Sequence, residues 1–214
     1  MYRLHPVCVG KDLTVEKTAT ASKDRLYKWL IDKGVDETLI KIAEGGKATF
    51  NYTVKVTPDG FTDSGYELSG TIKISNPNDW EDITVLVEDL LDKGGTCTID
   101  QSGPFVVEKG KSLNLTYTCT TDGTTIKNTV NVTWNKELYF TPTGLATDDA
   151  AVTFALDKET NKVITVVDDK TDPMNPETLG TADWVDGEKT FNYSLDKMGV
   201  AGTCTDYTCV LVRS

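Results

Sequence analysis

Apolar and polar residues alternate in short segments of this chain, and this period of two restricts the fold more than any other feature. Phe50, Tyr52, Val54 and Val56 occupy every second position of one segment, and residues 66–75 repeat the pattern. Successive side chains of a β-strand point to opposite faces of a sheet, so these segments fit strands with one buried face. The 33 Thr residues add to this signal, because β-branched side chains pack well on a pleated surface. The sequence therefore predicts an all-β protein.

Polar turns separate the predicted strands at intervals of about 8–15 residues, which is typical of an antiparallel sandwich. Residues 36–44 and 87–93 have helical spacing instead. Neither segment exceeds two turns, and helices that short are marginal, so we interpret both as loops or strand ends. The predicted strands lie at 13–19, 26–31, 48–56, 66–75, 83–87, 96–99, 112–119, 125–134, 150–156, 162–167 and 189–195.

The length of 214 residues allows two domains of ordinary size. The strand pattern stops near residue 134 and gives way to Thr-Pro-Thr-Gly at 141–144. We therefore predict a strand or linker at 1–12, one sandwich at 13–134 and a second, shorter sandwich at 135–214. The second module has about five predicted strands where a complete sandwich has about seven, so it is incomplete or completed by an added strand.

Charge and composition exclude several classes of function. The net charge of −11 disfavours nucleic acid, since phosphate binding needs clustered Lys and Arg. No apolar run reaches the ~20 residues of a membrane-spanning helix. His5 is the single histidine, and no nucleophile or phosphate-binding motif occurs. We therefore expect a protein that is not an enzyme and that needs no cofactor.

Five cysteines suggest disulfides, and hence secretion into an oxidising compartment. Cys97 and Cys119 lie on two predicted strands of the first module, and we predict that they pair. Pairing of Cys8 with Cys204 or with Cys209 is a second hypothesis. The odd count leaves one thiol, or one bridge to another chain.

Several motifs follow one another in a specific order. Residues 13–20 read Leu-Thr-Val-Glu-Lys-Thr-Ala-Thr, and residues 27–33 read Tyr-Lys-Trp-Leu-Ile-Asp-Lys. Further matching segments are 51–54, 60–65, 69–72, 75–78, 115–119, 127–134, 179–181, 191–193 and 202–204. Over most of its length the chain resembles tandem immunoglobulin-like repeats of bacterial surface proteins. The resemblance implies two immunoglobulin-like modules at the cell surface. They would serve as a non-catalytic stalk or adhesin repeat, with neighbouring repeats or identical subunits as partners.

The chain departs from such repeats at its C-terminus. Tyr207-Thr208 runs directly into Cys209, where the repeats have a further hairpin, and residues 6–9 look like the missing final strand. We hypothesise that the N-terminal segment completes a second module, in cis or from a neighbouring subunit. In the second case the chain would be a self-assembling filament, pilus or surface-layer subunit. A third alternative is a module that binds a carbohydrate or protein, with a host or environmental glycan or protein as partner.

Surface sandwiches of this kind sometimes carry an isopeptide bond between Lys and Asn. The reaction needs an unprotonated Lys, a neighbouring Asn amide and a protonated carboxyl, and burial can supply all three by shifting pKa values. We predict Lys33 as the amine, Asn128 as the amide and Asp89 as the carboxyl, with Lys17 as the alternative amine. A solvated lysine and an ordinary strand asparagine are the other interpretation.

An acidic segment in the second half offers oxygen ligands. Asp168, Asp169 and Asp172 could gather a calcium ion, which takes six to eight oxygen ligands. The spacing matches no EF-hand loop, and a solvated acidic turn is the alternative interpretation.

Overall fold

The computed structural model describes residues 9–169 and 174–203. In these residues the chain is all-β apart from one four-residue helix and one short 3₁₀ turn at Trp184–Asp186, and no helix is long and apolar enough to cross a membrane. The strands and the helix α1 are β1 Thr14–Lys17, β2 Thr20–Val35, β3 Lys47–Ser75, β4 Ile83–Leu91, β5 Gly95–Ile99, β6 Phe105–Val107, β7 Ser112–Thr121, β8 Lys127–Thr133, α1 Lys136–Tyr139, β9 Leu145–Ala151, β10 Phe154–Thr160, β11 Val163–Asp168, β12 Glu177–Asp183 and β13 Lys189–Met198.

The chain forms two compact units, and each is built from two separate stretches of sequence. Unit 1 contains the described residues up to Asp24 and Gly65–Asp157, and unit 2 contains Arg25–Ser64 and the described residues from Lys158 onward. This division differs from the consecutive modules expected at 13–134 and 135–214. The reason is that β2, β3 and β10 each run from one unit into the other. A boundary inside a strand has no linker composition that a sequence could reveal.

The strand β3 shows the difference most clearly. The sequence predicts two separate strands here, at 48–56 and 66–75, with the segment 57–65 between them. The segment instead belongs to one strand of 29 residues, β3, in which Gly60 and Gly65 have positive φ. Two segments with helical spacing were interpreted as loops or strand ends, and this is confirmed. Residues 36–44 form no helix, and residues 87–91 are the end of β4.

Unit 1 packs two antiparallel sheets around one core. The C-terminal part of β3 lies between β1 and β7, and β7 also pairs with β5. The second sheet has the order β6-β4-β8-β9. Apolar side chains of both sheets, at every second position, form the buried core: Leu13, Ile72, Ile74, Ile83, Val85, Val107, Leu115, Tyr117, Val130, Val132 and Trp134.

Unit 2 has a smaller core. The N-terminal part of β3 pairs with β13 from Val56–Lys189 to Lys47–Met198. The strands β11 and β12 form an antiparallel pair with an irregularity between Val166 and Val167. Val54, Val56, Val166 and Ala182 are its buried apolar residues, with Trp29, Ile31, Ile164, Leu179, Phe191 and Tyr193 packed around them.

Candidate isopeptide site

Lys17 is the last residue of β1 and points into the core of unit 1. Alternation along this strand places Lys17 on the same face as Val15 and Leu13, which contact the core. Its side chain is 0% exposed. The amine lies 3.4 Å from the centre of the Tyr117 ring, and the backbone N–H donates to Oδ2 of Asp148 over 2.7 Å. A lysine is rarely buried without a charged partner, so its surroundings call for an explanation.

The partner is Asp89, which lies on β4 in the opposite sheet. Oδ1 of Asp89 is 2.9 Å from the Lys17 amine, and the aspartate side chain is 1% exposed. Asn128, at the start of the adjacent strand β8, is also fully buried. Its Nδ2 donates to the same Oδ1 of Asp89 over 2.8 Å and to the backbone oxygen of Leu90 over 3.0 Å. One carboxylate oxygen therefore brings the lysine amine and the asparagine amide together.

Polar atoms without hydrogen-bond partners are concentrated in this cluster. Four buried side-chain polar atoms of the described residues lack such a partner, and three of them are Lys17 Nζ, Asp89 Oδ2 and Asn128 Oδ1. The lysine amine is in ion-pair contact with Asp89 but is not aligned as a hydrogen bond. Unsatisfied buried polar groups destabilise a fold, and a group of them in one place suggests a role other than stability.

Burial shifts the pKa of two side chains here, Lys17 and Tyr117. It lowers the pKa of Lys17, while the neighbouring carboxylates of Asp89 and Asp148 act in the opposite direction. A lowered pKa favours the neutral amine, which is the nucleophilic form of lysine. Burial, with the charge of Asp89, raises the pKa of Tyr117, so this phenol stays neutral and donates to the backbone oxygen of Thr18 over 2.6 Å.

The arrangement can support amide exchange between Lys17 and Asn128. Transfer of a proton from the ammonium to Asp89 within the ion pair would create a neutral amine and a carboxylic acid without changing the net charge. The acid would then have a hydrogen for the partnerless Oδ1 of Asn128, and hydrogen bonding to that oxygen makes the amide carbon more electrophilic. Attack by the amine and loss of ammonia would leave an isopeptide bond.

The lysine beside Asp89 is Lys17, the alternative amine, and not Lys33, the first choice from the sequence. Asp89 and Asn128 meet as predicted, but Lys33 lies in unit 2, where its amine is 2.6 Å from Oδ2 of Asp168. Both lysines precede Asp89 in sequence and lie on strands, so order and pattern do not distinguish them. The passage of β2 from unit 1 into unit 2 decides between them, and that passage leaves no signal in the sequence.

Asp168, one of the three predicted calcium ligands, is 3% exposed and does not lie in a solvated turn. It accepts hydrogen bonds from Lys33 and from the hydroxyl of Tyr193. Asp169 is exposed, and Asp172 lies outside the described residues. The ion pair with Lys33 gives Asp168 a role for which calcium is not needed.

The predicted disulfide between Cys97 and Cys119 is confirmed. These residues are directly opposite each other on β5 and β7, and their sulfurs are bonded at 2.01 Å. In the described part of the chain, the only acidic and sulfur side chains grouped closely enough to hold a metal are Asp89 and this bonded pair, and a disulfide leaves no thiolate for a metal. Cys8, Cys204 and Cys209, and with them the hypothesis of strand completion, lie outside the described residues.

Two side chains of the site were not expected from the sequence. Tyr117 covers the lysine amine, and Asp148 on β9 holds the backbone of Lys17. The alternation of Leu113, Leu115 and Tyr117 on β7 did indicate that Tyr117 faces the core, but nothing indicated which residue it would contact. Comparison with known proteins adds nothing to this geometry: no family model, curated protein or solved structure matches the chain.

Proposed function

We propose that the chain is a non-enzymatic structural module of an extracellular bacterial surface protein, a stalk or adhesin repeat, in which an isopeptide bond between Lys17 and Asn128 locks unit 1. The observation that carries the proposal is the buried contact of both residues with one oxygen of Asp89. A lysine, an asparagine and a carboxyl that are enclosed together, with their remaining polar atoms unsatisfied, have the components for a self-catalysed cross-link.

The reaction would occur once in each molecule. Asp89 accepts one proton from the Lys17 ammonium, the neutral amine attacks Cγ of Asn128, and Asp89 gives that proton to the departing nitrogen. The attacking nitrogen then loses its second proton to Asp89, so the products are the secondary amide, ammonia and the acid form of Asp89. One amide C–N bond forms, one breaks, and one ammonia molecule leaves. The product has no free amine, so the site cannot turn over, and it serves structure instead of metabolism.

The position of the bond suits a module under tension. Lys17 belongs to the first strand of one sheet, and Asn128 belongs to a strand of the opposite sheet. A covalent link between them would carry force directly from residue 17 to residue 128. The roughly 110 residues in between would then be shielded from stretching, which is the property that a stalk needs.

Two further features support a location outside the cell. The cross-strand disulfide is compatible with an oxidising compartment. The resemblance to repeats of bacterial surface proteins points in the same direction.

Stretching single molecules by their two ends tests the proposal. If the bond is present, complete unfolding leaves residues 17–128 unextended. Lys17→Met removes the amine and releases this loop, except for the residues closed by the disulfide. The variant should therefore extend further by about 90 residues, roughly 30 nm at 3.3–3.6 Å per residue. Equal extensions of the wild type and Lys17→Met would overturn the proposal.

A further inference from the structure

The disulfide between Cys97 and Cys119 forms part of the wall of the Lys17–Asp89–Asn128 cluster. Sγ of Cys97 lies 3.6 Å from Nδ2 of Asn128, the nitrogen that would leave as ammonia. A carboxylate oxygen of Asp89 and the two sulfurs all lie within 4.8 Å of one another. The disulfide therefore contacts both the acceptor amide and the carboxyl that would move its protons.

The strand that carries Cys97 is short and lies at a sheet edge. β5 has five residues and lies at the edge of its sheet, where it pairs with β7 alone. A groove of about 540 Å³ separates β5 from β4, and both Asp89 and Cys97 line it. Cys97 and Cys119 are only partly buried, and Cys97 lines this groove, which gives a soluble thiol or oxidant a route towards the disulfide. Without the disulfide, separation of β5 from β7 would admit water to Asp89 from this groove.

We propose that the disulfide positions Asn128 and closes the site, so that the isopeptide bond forms rapidly only after Cys97 and Cys119 are oxidised. This inference rests on the proposed function. Oxidation removes two electrons and two protons from the thiols and passes them to a disulfide oxidant. The later exchange of ammonia for the lysine amine involves no redox change. The two reactions are linked only through geometry and exclusion of water.

The order of the two reactions has a consequence for export. Reduced chains made inside a cell would stay without the cross-link and could pass through a secretion channel as an extended chain. Oxidation outside would then fix β5, and the permanent bond would follow. A loop closed too early by an isopeptide bond could not be opened again, whereas a disulfide can be reduced.

The test compares rates of ammonia loss in the full-length chain. Cys8, Cys204 and Cys209 are replaced by Ser to prevent other pairings. The chain is unfolded and reduced immediately after synthesis, and molecules that have not reacted are separated by mass. They are refolded with a thiol reductant or with a glutathione oxidant, at a temperature where near-ultraviolet circular dichroism shows that both forms are folded. Intact mass then follows the loss of about 17 Da as the amine displaces ammonia.

We expect the reduced form to react at least about tenfold more slowly, because small displacements of reacting groups cost large factors in rate. Adding oxidant to the folded, reduced chain should restore the fast rate without refolding, which loss of the fold in the reduced chain would not explain. The double variants Cys97→Ala/Cys119→Ala and Cys97→Val/Cys119→Val should react slowly with either reagent. Equal rates in the oxidised and reduced forms would overturn this inference. Absence of ammonia loss in the oxidised form would overturn the proposed function itself.

Discussion

Replacing Lys17 by Met should lower the thermal stability of unit 1 substantially. The substitution removes the amine needed for the cross-link and fills the buried site with an apolar chain of similar length. Replacing buried ionisable groups by apolar groups is often neutral or stabilising, so the substitutions themselves need not destabilise the fold. Met alone leaves Asp89 as a buried carboxyl without its lysine partner, so the matched control is Lys17→Met/Asp89→Leu, in which neither ionisable group remains. A loss of stability in this control reports mainly the missing covalent bond.

The magnitude follows from the length of the closed loop. Residues 17 and 128 enclose about 110 residues, and a cross-link of that span restricts the unfolded chain by about 4.7 kcal/mol in the chain-entropy treatment used for disulfides. A domain of about 110 residues has an unfolding entropy near 0.23 kcal/mol per kelvin, so the midpoint of unfolding should fall by about 20 °C. The disulfide inside this loop shortens it and reduces the effect only slightly.

Differential scanning calorimetry measures this shift, and mass spectrometry identifies its cause. The wild type should weigh about 17 Da less than its sequence after reduction of the disulfide, because ammonia has left. An asparagine that cyclises also loses ammonia, so proteolysis must yield a branched peptide that joins Lys17 to Asn128. The reasoning fails if the branched peptide is present and the control variant melts within a few degrees of the wild type.

Three further predictions concern other contacts. Asp168→Ala leaves the buried amine of Lys33 without its carboxylate, so denaturant titration should show unit 2 destabilised by about 3–5 kcal/mol. The double variant Lys33→Met/Asp168→Leu should restore most of the lost stability. A Thr125 hydroxyl and two backbone N–H groups hold the pKa of Asp92 below its ordinary 3.8. In acid the native state then binds fewer protons than the unfolded state. The wild type should therefore be more stable than Asp92→Asn above pH 3.8, and this advantage should disappear as the pH falls through the lowered pKa. A difference in unfolding free energy that stays constant during acid titration would contradict this. In Gly70→Ala the new methyl would lie 2.1 Å from the backbone oxygen of Thr18 and 2.7 Å from the hydroxyl of Tyr117. This overlap should lower the free energy of unfolding by about 1–3 kcal/mol and slow the loss of ammonia. An unchanged rate of ammonia loss by mass spectrometry would show that the position of the Tyr117 ring is not needed.

The alternation of apolar and polar residues was sufficient to predict the strands and, in large part, which of their side chains face the core. The period of two in β3 and β7 identified which residues face the core, because side chains alternate across a sheet wherever the strand runs. It also placed Cys97 and Cys119 on strands of one unit, and the structure pairs them. The residue types of the cross-link site were recognised through the resemblance, and Asp89 and Asn128 do meet.

What the sequence could not decide is which distant residues share a core. Lys17 and Lys33 have the same chemistry and both lie on strands, yet only Lys17 contacts Asp89, while Lys33 pairs with Asp168 in unit 2. The sequence by itself determined an all-β chain and the apolar positions of its strands, since strand patterns depend on neighbouring positions. The tertiary structure alone decided the partners, because β2 and β3 each span both units. Only the pairing of distant strands assigns each buried charge to its counterion.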